Sequence, residues 1–370
     1  MVRVCHFTSV HSTEDERIFY KECVSLASEG YEVILVGPGK SRKDKGVNVI
    51  GVGEKPLSRI KRMLFFSRIV YKKALSFDCD IYHFHDPELL SYALKLKKIG
   101  KIVIFDSHED VPAQFDEKKY LPKIIRVIAA KYYIRLEKKV LKVVDAAISV
   151  TPHIVDRLNE YCKTIMVTNY PRISNSNIDK SNLDVKKEKA VCFTGTINEG
   201  WCHSNIAKSI GLLNDIEYHL YGKADKEYIK SLEELAGENK LIYKGFVKHD
   251  EILTVQSRYI AGMCLCDYCA NTGWKIGTLG NTKIFEYMYA GIPIICTDFD
   301  LWKDIVDKYE CGIYVNPNNV DEIAKAINYY VDNMETVAIH GENGRRAVIK
   351  EYTWQHEEKK LLNLYSSLVK

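Results

Sequence analysis

The chain has 370 residues, 46% of them hydrophobic and 28% charged, with a net charge of +4. That length exceeds what one core usually supports, and the composition is that of an ordinary globular chain with material for two domains. No apolar run reaches the ~18 residues that a membrane span needs, and the opening MVRVCHFTSV reads as a buried strand rather than an export leader, so a cytoplasmic protein is expected.

The eleven cysteines fall at irregular spacing, mostly inside apolar segments, as reduced buried thiols do. Charge is uneven along the chain. Residues 1–170 hold 29 Lys/Arg against 21 Asp/Glu, a net +8, and the remainder is −4. Such a split suggests that the first half meets an anionic surface.

In chain order, short apolar runs at 2–7, 32–36, 81–84, 102–106 and 146–150 read as strands. Helical periodicity fills 17–29, 59–75 and 89–98 between them. Two stretches are basic and amphipathic. Residues 55–75 contain seven basic residues and no acid, interleaved with Ile60, Met63, Leu64, Phe65, Phe66, Ile69 and Val70, and residues 118–142 carry nine basic residues against Glu137 alone. They read either as solvated faces over a core or as a docking surface for an anionic membrane. No nucleic-acid recognition module accompanies them, so nucleic acid is not an expected partner.

The alternation stops at the polar stretch 172–189, the expected boundary between a first domain (1–172) and a second (173–353). It restarts with strands at 190–194, 217–221, 241–244, 261–266, 292–297 and 312–315. Alternating strand and helix on both sides predicts an α/β protein of two doubly wound, Rossmann-like domains facing a central cleft, with ligands at the carboxyl ends of the strands. Three motif look-alikes fail. GPGKS at 37–41 has Ile34 where a P-loop needs its first glycine, and TSVHSTEDER lacks the glycines of a dinucleotide loop. Cys264, Cys266 and Cys269 have no second pair, so no metal is expected.

The segment 280–293, GNTKIFEYMYAGIP, carries the most chemistry. Asn281 and Thr282 suit a helix N-cap, whose free amides attract anions, and Lys283 adds a cation. Glu286 is placed to accept hydrogen bonds from the vicinal hydroxyls of a ribose. The plainer reading is a capped structural helix with an exposed glutamate. In the first half, His108 and Glu109 follow the apolar strand at 102–105, where ligand sites of such sheets collect. A histidine there can hydrogen-bond a sugar hydroxyl or share a proton, or be satisfied by its own backbone. His83 and His85 alternate on a strand and read as structural.

Segment 280–293 and its continuation resemble the retaining GT-B glycosyltransferases of family 4, whose signature joins two glutamates to an Ala-Gly-x-Pro turn. The resemblance implies that Glu286 binds ribose while Asn281, Thr282 and Lys283 surround a diphosphate. Thr278 stands eight residues before Glu286, where many members have the first glutamate. HSTEDERIFYKECVSLASEGYEVILVG, HFHDPELL and FDSHED resemble the first-domain motifs. By that likeness His108 sits beside the transferred sugar, and Asp15, Glu16, Arg17, Asp86 and Glu109 lie on the acceptor side. FTGTINEGW is similar to the phosphate-facing loop, which places Gly195 at the diphosphate; Thr196 stands where members often have Arg and the following Lys is missing, so Lys223 and Lys283 are the candidates to meet the charge. GFVKHDEI resembles the segment that puts Phe246 and Val247 beside the base. A final helix at 354–370 packs back on the first domain in the family.

The implied activity is metal-independent, retaining transfer of a hexosyl unit from a UDP- or GDP-sugar. The nucleotide sugar is a substrate, and no cofactor is implied. The implied acceptor is a glycan, polyprenyl-diphosphate-linked, in cell-surface polysaccharide synthesis at the inner face of the plasma membrane. A sugar-nucleotide epimerase of similar fold, or a non-catalytic nucleotide-sugar-binding member, are the alternatives.

Overall fold

In a computed structural model, which describes residues 1–117, 122–173 and 186–369, the chain divides into two units. Met1–Asn169 with Trp354–Lys370 forms the first and Tyr170–Thr353 the second. The break falls three residues before the boundary expected from the polar stretch, and residues 174–185 of that stretch lie outside the described ones.

The first unit is built on eight strands: β1 (Arg3–Phe7), β2 (Glu32–Gly37), β3 (Arg42–Asp44), β4 (Val47–Gly51), β5 (Ile81–Phe84), β6 (Ile102–Ser107), β7 (Ala146–Ser149) and β8 (Thr164–Met166). Their order is β3-β4-β2-β1-β5-β6-β7-β8, parallel except for β3 against β4. That edge hairpin turns on Lys45 and Gly46, both at positive φ, which suits a two-residue turn joining twisted strands. The central strands are buried over nearly their whole length because helices cover both faces. On one face, Val70, Ala93 and Val140 from the helices Ser67–Leu75, Leu90–Lys98 and Lys123–Leu141 pack on Phe7, Tyr82 and Phe105. On the other, Ile18, Phe19 and Leu26 meet Leu361 and Leu364 of the helix Trp354–Leu368 above Val4, Val33 and Ile104. That helix is pinned by Trp354 Nε1 donating to Ser25 Oγ at 2.9 Å and by the Thr168 amide donating to Glu357 at 2.8 Å.

The predicted helix at 17–29 begins one residue earlier, where Asp15 caps it, and it is π-helical over Glu16–Cys23 before continuing as α-helix over Val24–Ser28. The predicted helix at 59–75 likewise contains a π-turn at Arg62–Phe66.

The second unit holds six parallel strands in the order β11-β10-β9-β12-β13-β14. They are β9 (Glu188–Thr194), β10 (Glu217–Tyr221), β11 (Leu241–Gly245), β12 (Tyr259–Cys264), β13 (Ile294–Thr297) and β14 (Gly312–Val315). Ile206, Leu232 and Ile327 cover one face, and Ile284, Met288, Trp302 and Val348 the other. Gly262 lies in the middle of this sheet because a Cβ there would come within 2.3 Å of the Tyr287 ring. Tyr287 in turn accepts the Thr194 amide at 3.0 Å, locking the helix Thr282–Tyr289 to the end of β9. Strand order reverses between β1 and β5 in one sheet and between β9 and β12 in the other, the points at which such sheets bind ligands. Among the described residues, no helix is long and apolar enough to cross a membrane.

Candidate functional site

In the second unit, the ends of β9 and β10 open onto a cavity of about 270 Å³. Gly195, Thr196, Lys223, Phe246 and Val247 all line it, with Tyr221 and Gly222 between them. Backbone makes its floor. Gly195 and Gly222 have φ of +143° and +135°, and a Cβ on Gly222 would lie 1.7 Å from the Gly195 carbonyl oxygen. Only glycine allows two strand-end loops to approach this closely.

Lys283 leans over the same loop, since a Cβ on Gly195 would lie 2.4 Å from Lys283 Cε. Its ammonium sits 4.3 Å from the ring centroid of Trp201, a residue the sequence did not single out, and 5.6 Å from that of Phe193. It makes no ion pair among the described residues, so it remains available to an anion. Asn281 is the N-cap, with Oδ1 accepting the Lys283 amide at 3.1 Å, and Thr282 is the first helical residue. Glu286 is half-buried further along this helix, off the cavity lining, and its carboxylate takes no hydrogen bond or ion pair among the described residues. Thr278 is occupied locally. Its hydroxyl accepts the Gly280 amide at 3.0 Å and its carbonyl accepts Trp302 Nε1 at 2.8 Å.

In the first unit, a cavity of about 280 Å³ lies where β5 and β6 end. His108, Asp86 and Glu109 line it, as do His11, His85, Arg62 and Glu88. His108 Nε2 is 3.0 Å from Asp106 Oδ2 and 3.3 Å from His85 Nδ1, which fixes the ring. Glu109 is exposed and accepts from Gln114 at 2.7 Å. Asp86 is buried and receives Thr8 Oγ1 at 2.8 Å and the Val10 amide at 3.2 Å, so one oxygen is tied to the loop after β1. Arg62 and Glu88 form a two-pronged pair at 2.7 and 2.9 Å that sequence reasoning passed over.

Three acceptor-side expectations change. Asp15 and Glu16 do not line the cavity. Asp15 caps its helix, accepting the Arg17 and Ile18 amides at 2.9 and 3.0 Å. Burial opposes its ionisation, yet the hydrogen bond and charge of His11 hold its carboxyl well below the usual range. Arg17 faces the interior, 3% exposed. It grips Asp106 through Nε at 3.1 Å and Nη2 at 3.2 Å, donates Nη1 to the Val167 carbonyl at 2.8 Å, and lies 3.0 Å from Glu22. A guanidinium so enclosed cannot contact an acceptor. It keeps Asp106 ionised against the burial that opposes the charge, while burial pushes the Glu22 carboxyl well up. Burial also lowers the imidazoles of His6, His83 and His85, leaving them neutral. Sequence reasoning missed Asp106, Glu22 and His6 altogether, although FDSHED contains the first of them.

Two doubly wound, mostly parallel sheets in tandem, each with a cavity at its strand ends, match the GT-B class of transferase fold. Residues 16–167 match the model of glycosyltransferase family 4, and residues 174–347 match that of the group 1 glycosyl transferases. The chain therefore belongs to the family 4-like GT-B glycosyltransferases. The fold is similar to that of sucrose-phosphate synthase from Thermosynechococcus elongatus, with a TM-score of 0.75, 14% identity and coverage of 100% of this chain and 99% of that one. A glycosyltransferase from Rickettsia africae aligns with a TM-score of 0.73 and 16% identity, over 100% and 99% of the two chains. Anabaena HepE, solved with UDP and glucose, aligns at 0.71 and 12%, over 99% and 100%. In sequence, the chain is 22% identical over 194 residues to an uncharacterized glycosyltransferase of Methanocaldococcus jannaschii, MJ1069. That match takes in 50% of this chain and 46% of the relative, so the chain spans less than half of the relative's length.

Proposed function

We propose that this protein transfers a hexosyl unit from a nucleoside-diphosphate sugar to a lipid-linked glycan, with retention at the anomeric carbon and no metal in the chemistry. The observation that carries this reading is the Lys283 ammonium, without a counter-ion among the described residues, standing over Gly195 where that loop packs on Gly222. Such a loop gives close approach to a diphosphate and a fixed charge to stabilise it as it leaves, a gain realised most fully in the transition state. Lys223 adds a second cation, Phe246 and Val247 flank the base, and Glu286 receives the ribose hydroxyls. His108, held by Asp106, hydrogen-bonds the sugar being transferred. That HepE was solved with UDP and glucose supports a uridine nucleotide among the donors to try first.

The test is to incubate the purified protein with UDP- and GDP-sugars. Slow release of nucleoside diphosphate supports transfer; isomerisation of the sugar would point to an epimerase, and binding without release to a non-catalytic member. Glu286→Ala is expected to weaken nucleoside diphosphate binding about 100-fold, because two hydrogen bonds to a carboxylate are worth about 3 kcal/mol together. Thermal stability should stay unchanged, since the carboxylate has no partner among the described residues. Unaltered affinity in calorimetry would remove Glu286 from the site.

The lipid-linked acceptor and a place at the cytoplasmic face of the plasma membrane are supported by the first unit's surface. Ile60, Leu64 and Phe65 are 69%, 62% and 66% exposed among Arg59, Lys61 and Arg68, and Ile124, Ile128 and Tyr132 are 73%, 63% and 68% exposed beside Lys123 and Lys131. Apolar side chains left in water between cations suit an anionic bilayer, where each cation contributes roughly 1 kcal/mol and each buried large side chain about 1.5–3 kcal/mol. The double variant Leu64→Glu, Phe65→Glu is expected to lower co-sedimentation with phosphatidylserine-containing vesicles at least tenfold or so. Equal sedimentation of wild type and variant would argue against this face.

A further inference from the structure

Deep in the first unit four side chains converge, of which only His85 also touches the cavity beside His108. His6 on β1 and His83 on β5 are register neighbours, His85 follows two residues after His83, and Glu22 descends on them from the π-helical turn. His6, His83 and Glu22 are wholly buried and His85 is 2% exposed. One donor atom from each lies within 4.8 Å of all the others. His6 Nδ1 and His85 Nε2 are 3.0 Å apart, and Glu22 Oε2 is 3.8 and 4.0 Å from them. Donors bound at about 2.0–2.1 Å to a tetrahedral ion stand about 3.3 Å from one another, which these separations bracket.

Of the four atoms turned away from this point, three are hydrogen-bonded and the fourth is ion-paired. His6 Nε2 and His83 Nδ1 share the Tyr365 hydroxyl, at 3.0 and 2.8 Å. His85 Nδ1 lies 3.3 Å from Asp106 Oδ2, and Glu22 Oε1 lies 3.0 Å from Arg17 Nε. Two of the four inward atoms, His83 Nε2 and Glu22 Oε2, have no hydrogen-bond partner among the described residues although fully buried, while His6 Nδ1 and His85 Nε2 face each other at hydrogen-bonding distance. Metal-binding imidazoles and carboxylates are held in this way, one atom on the ion and the other on an oriented partner.

We propose that His6, His83, His85 and Glu22 bind one divalent transition metal of the zinc class, as a structural ion inside the first unit. Three imidazoles and a carboxylate are a donor set such ions accept, and hard ions such as magnesium do not favour it. The ion ties β1, β5 and the π-helical turn together behind Asp106, and takes no part in sugar transfer. Because the site is enclosed, it fills as the unit folds.

The test uses the full chain without a polyhistidine tag, purified without chelator and analysed by elemental mass spectrometry. The expected result is about one zinc-class ion per chain. Refolding with zinc should give a higher melting temperature than refolding with chelator, and cobalt should give the visible bands of a four-coordinate ion. His83→Gln should lose the ion. Tyr365→Phe, which keeps the ring and removes only the shared hydroxyl, should lower zinc affinity about 10–100-fold, and decides the matter if His83→Gln fails to fold. His219→Gln, in the second unit, should retain the ion. Metal-free protein that melts at the same temperature with zinc, cobalt or chelator would overturn the proposal and leave a shared proton as what holds the four groups. None of these readings depends on nucleotide binding.

Discussion

His108→Ala is expected to lower the rate of sugar transfer by about 10² to 10⁴ while nucleoside diphosphate affinity changes little. The ring lies at a cavity in the first unit, its side chain 16% exposed, with Nε2 fixed at 3.0 Å from Asp106. A group held in this way is already oriented before the substrate arrives, and its loss removes an interaction that strengthens as the glycosidic bond breaks. The nucleotide site is assembled from other residues, around Gly195, Gly222 and Lys283. Single-turnover rates and calorimetry with the nucleoside diphosphate therefore separate the two effects. The fold should survive, because Asp106 keeps both contacts to Arg17. A variant with unaltered turnover would take His108 out of the chemistry, and one that also lost nucleotide affinity would contradict the division of labour proposed here.

Arg17→Ala is expected to lower the stability of the first unit by about 3–5 kcal/mol, the range for breaking a buried ion pair by removing one partner. The change strands Asp106 and Glu22, both wholly buried, and also removes the donor to the Val167 carbonyl. For a unit of this size the melting temperature should fall by about 10 °C. Arg17→Lys should rescue little of this, because a point charge cannot reproduce the two-pronged grip on Asp106. As a control, Arg346→Ala removes an exposed pair with Glu342 and should cost less than about 1 kcal/mol. Thermal or urea unfolding checks both; a loss at Arg17 no larger than at Arg346 would mean that the buried charges are compensated elsewhere.

The two variants also mark what could be read from the residues alone. In the second unit, Gly195, Thr196, Lys223, Phe246 and Val247 line one cavity; the glycines at strand ends could be read locally, whereas Thr196, Phe246 and Val247 came only through the family resemblance. The first unit's interior could not be read in either way. Arg17 and Glu22 are five residues apart, a spacing that an α-helical reading sends to different sides; the π-helical turn over Glu16–Cys23 brings them to 3.0 Å. His6, His83 and His85 looked like ordinary strand residues, since the Tyr365 hydroxyl that orders two of them lies 282 residues from His83. β3 and β4 escaped notice because β3 is Arg-Lys-Asp, an edge strand whose charges shield its open side rather than announce it.

The first unit is discontinuous along the chain, and this bears on how the protein is made. Val4, Ile18, Leu26 and Val33 are sealed by Trp354, Leu361 and Leu364, which emerge from the ribosome only after the whole of Tyr170–Thr353. During translation the second unit is complete first, while one apolar face of the first waits uncovered. Nascent chains stalled before residue 354 should thus recruit chaperones that chains released after it do not need.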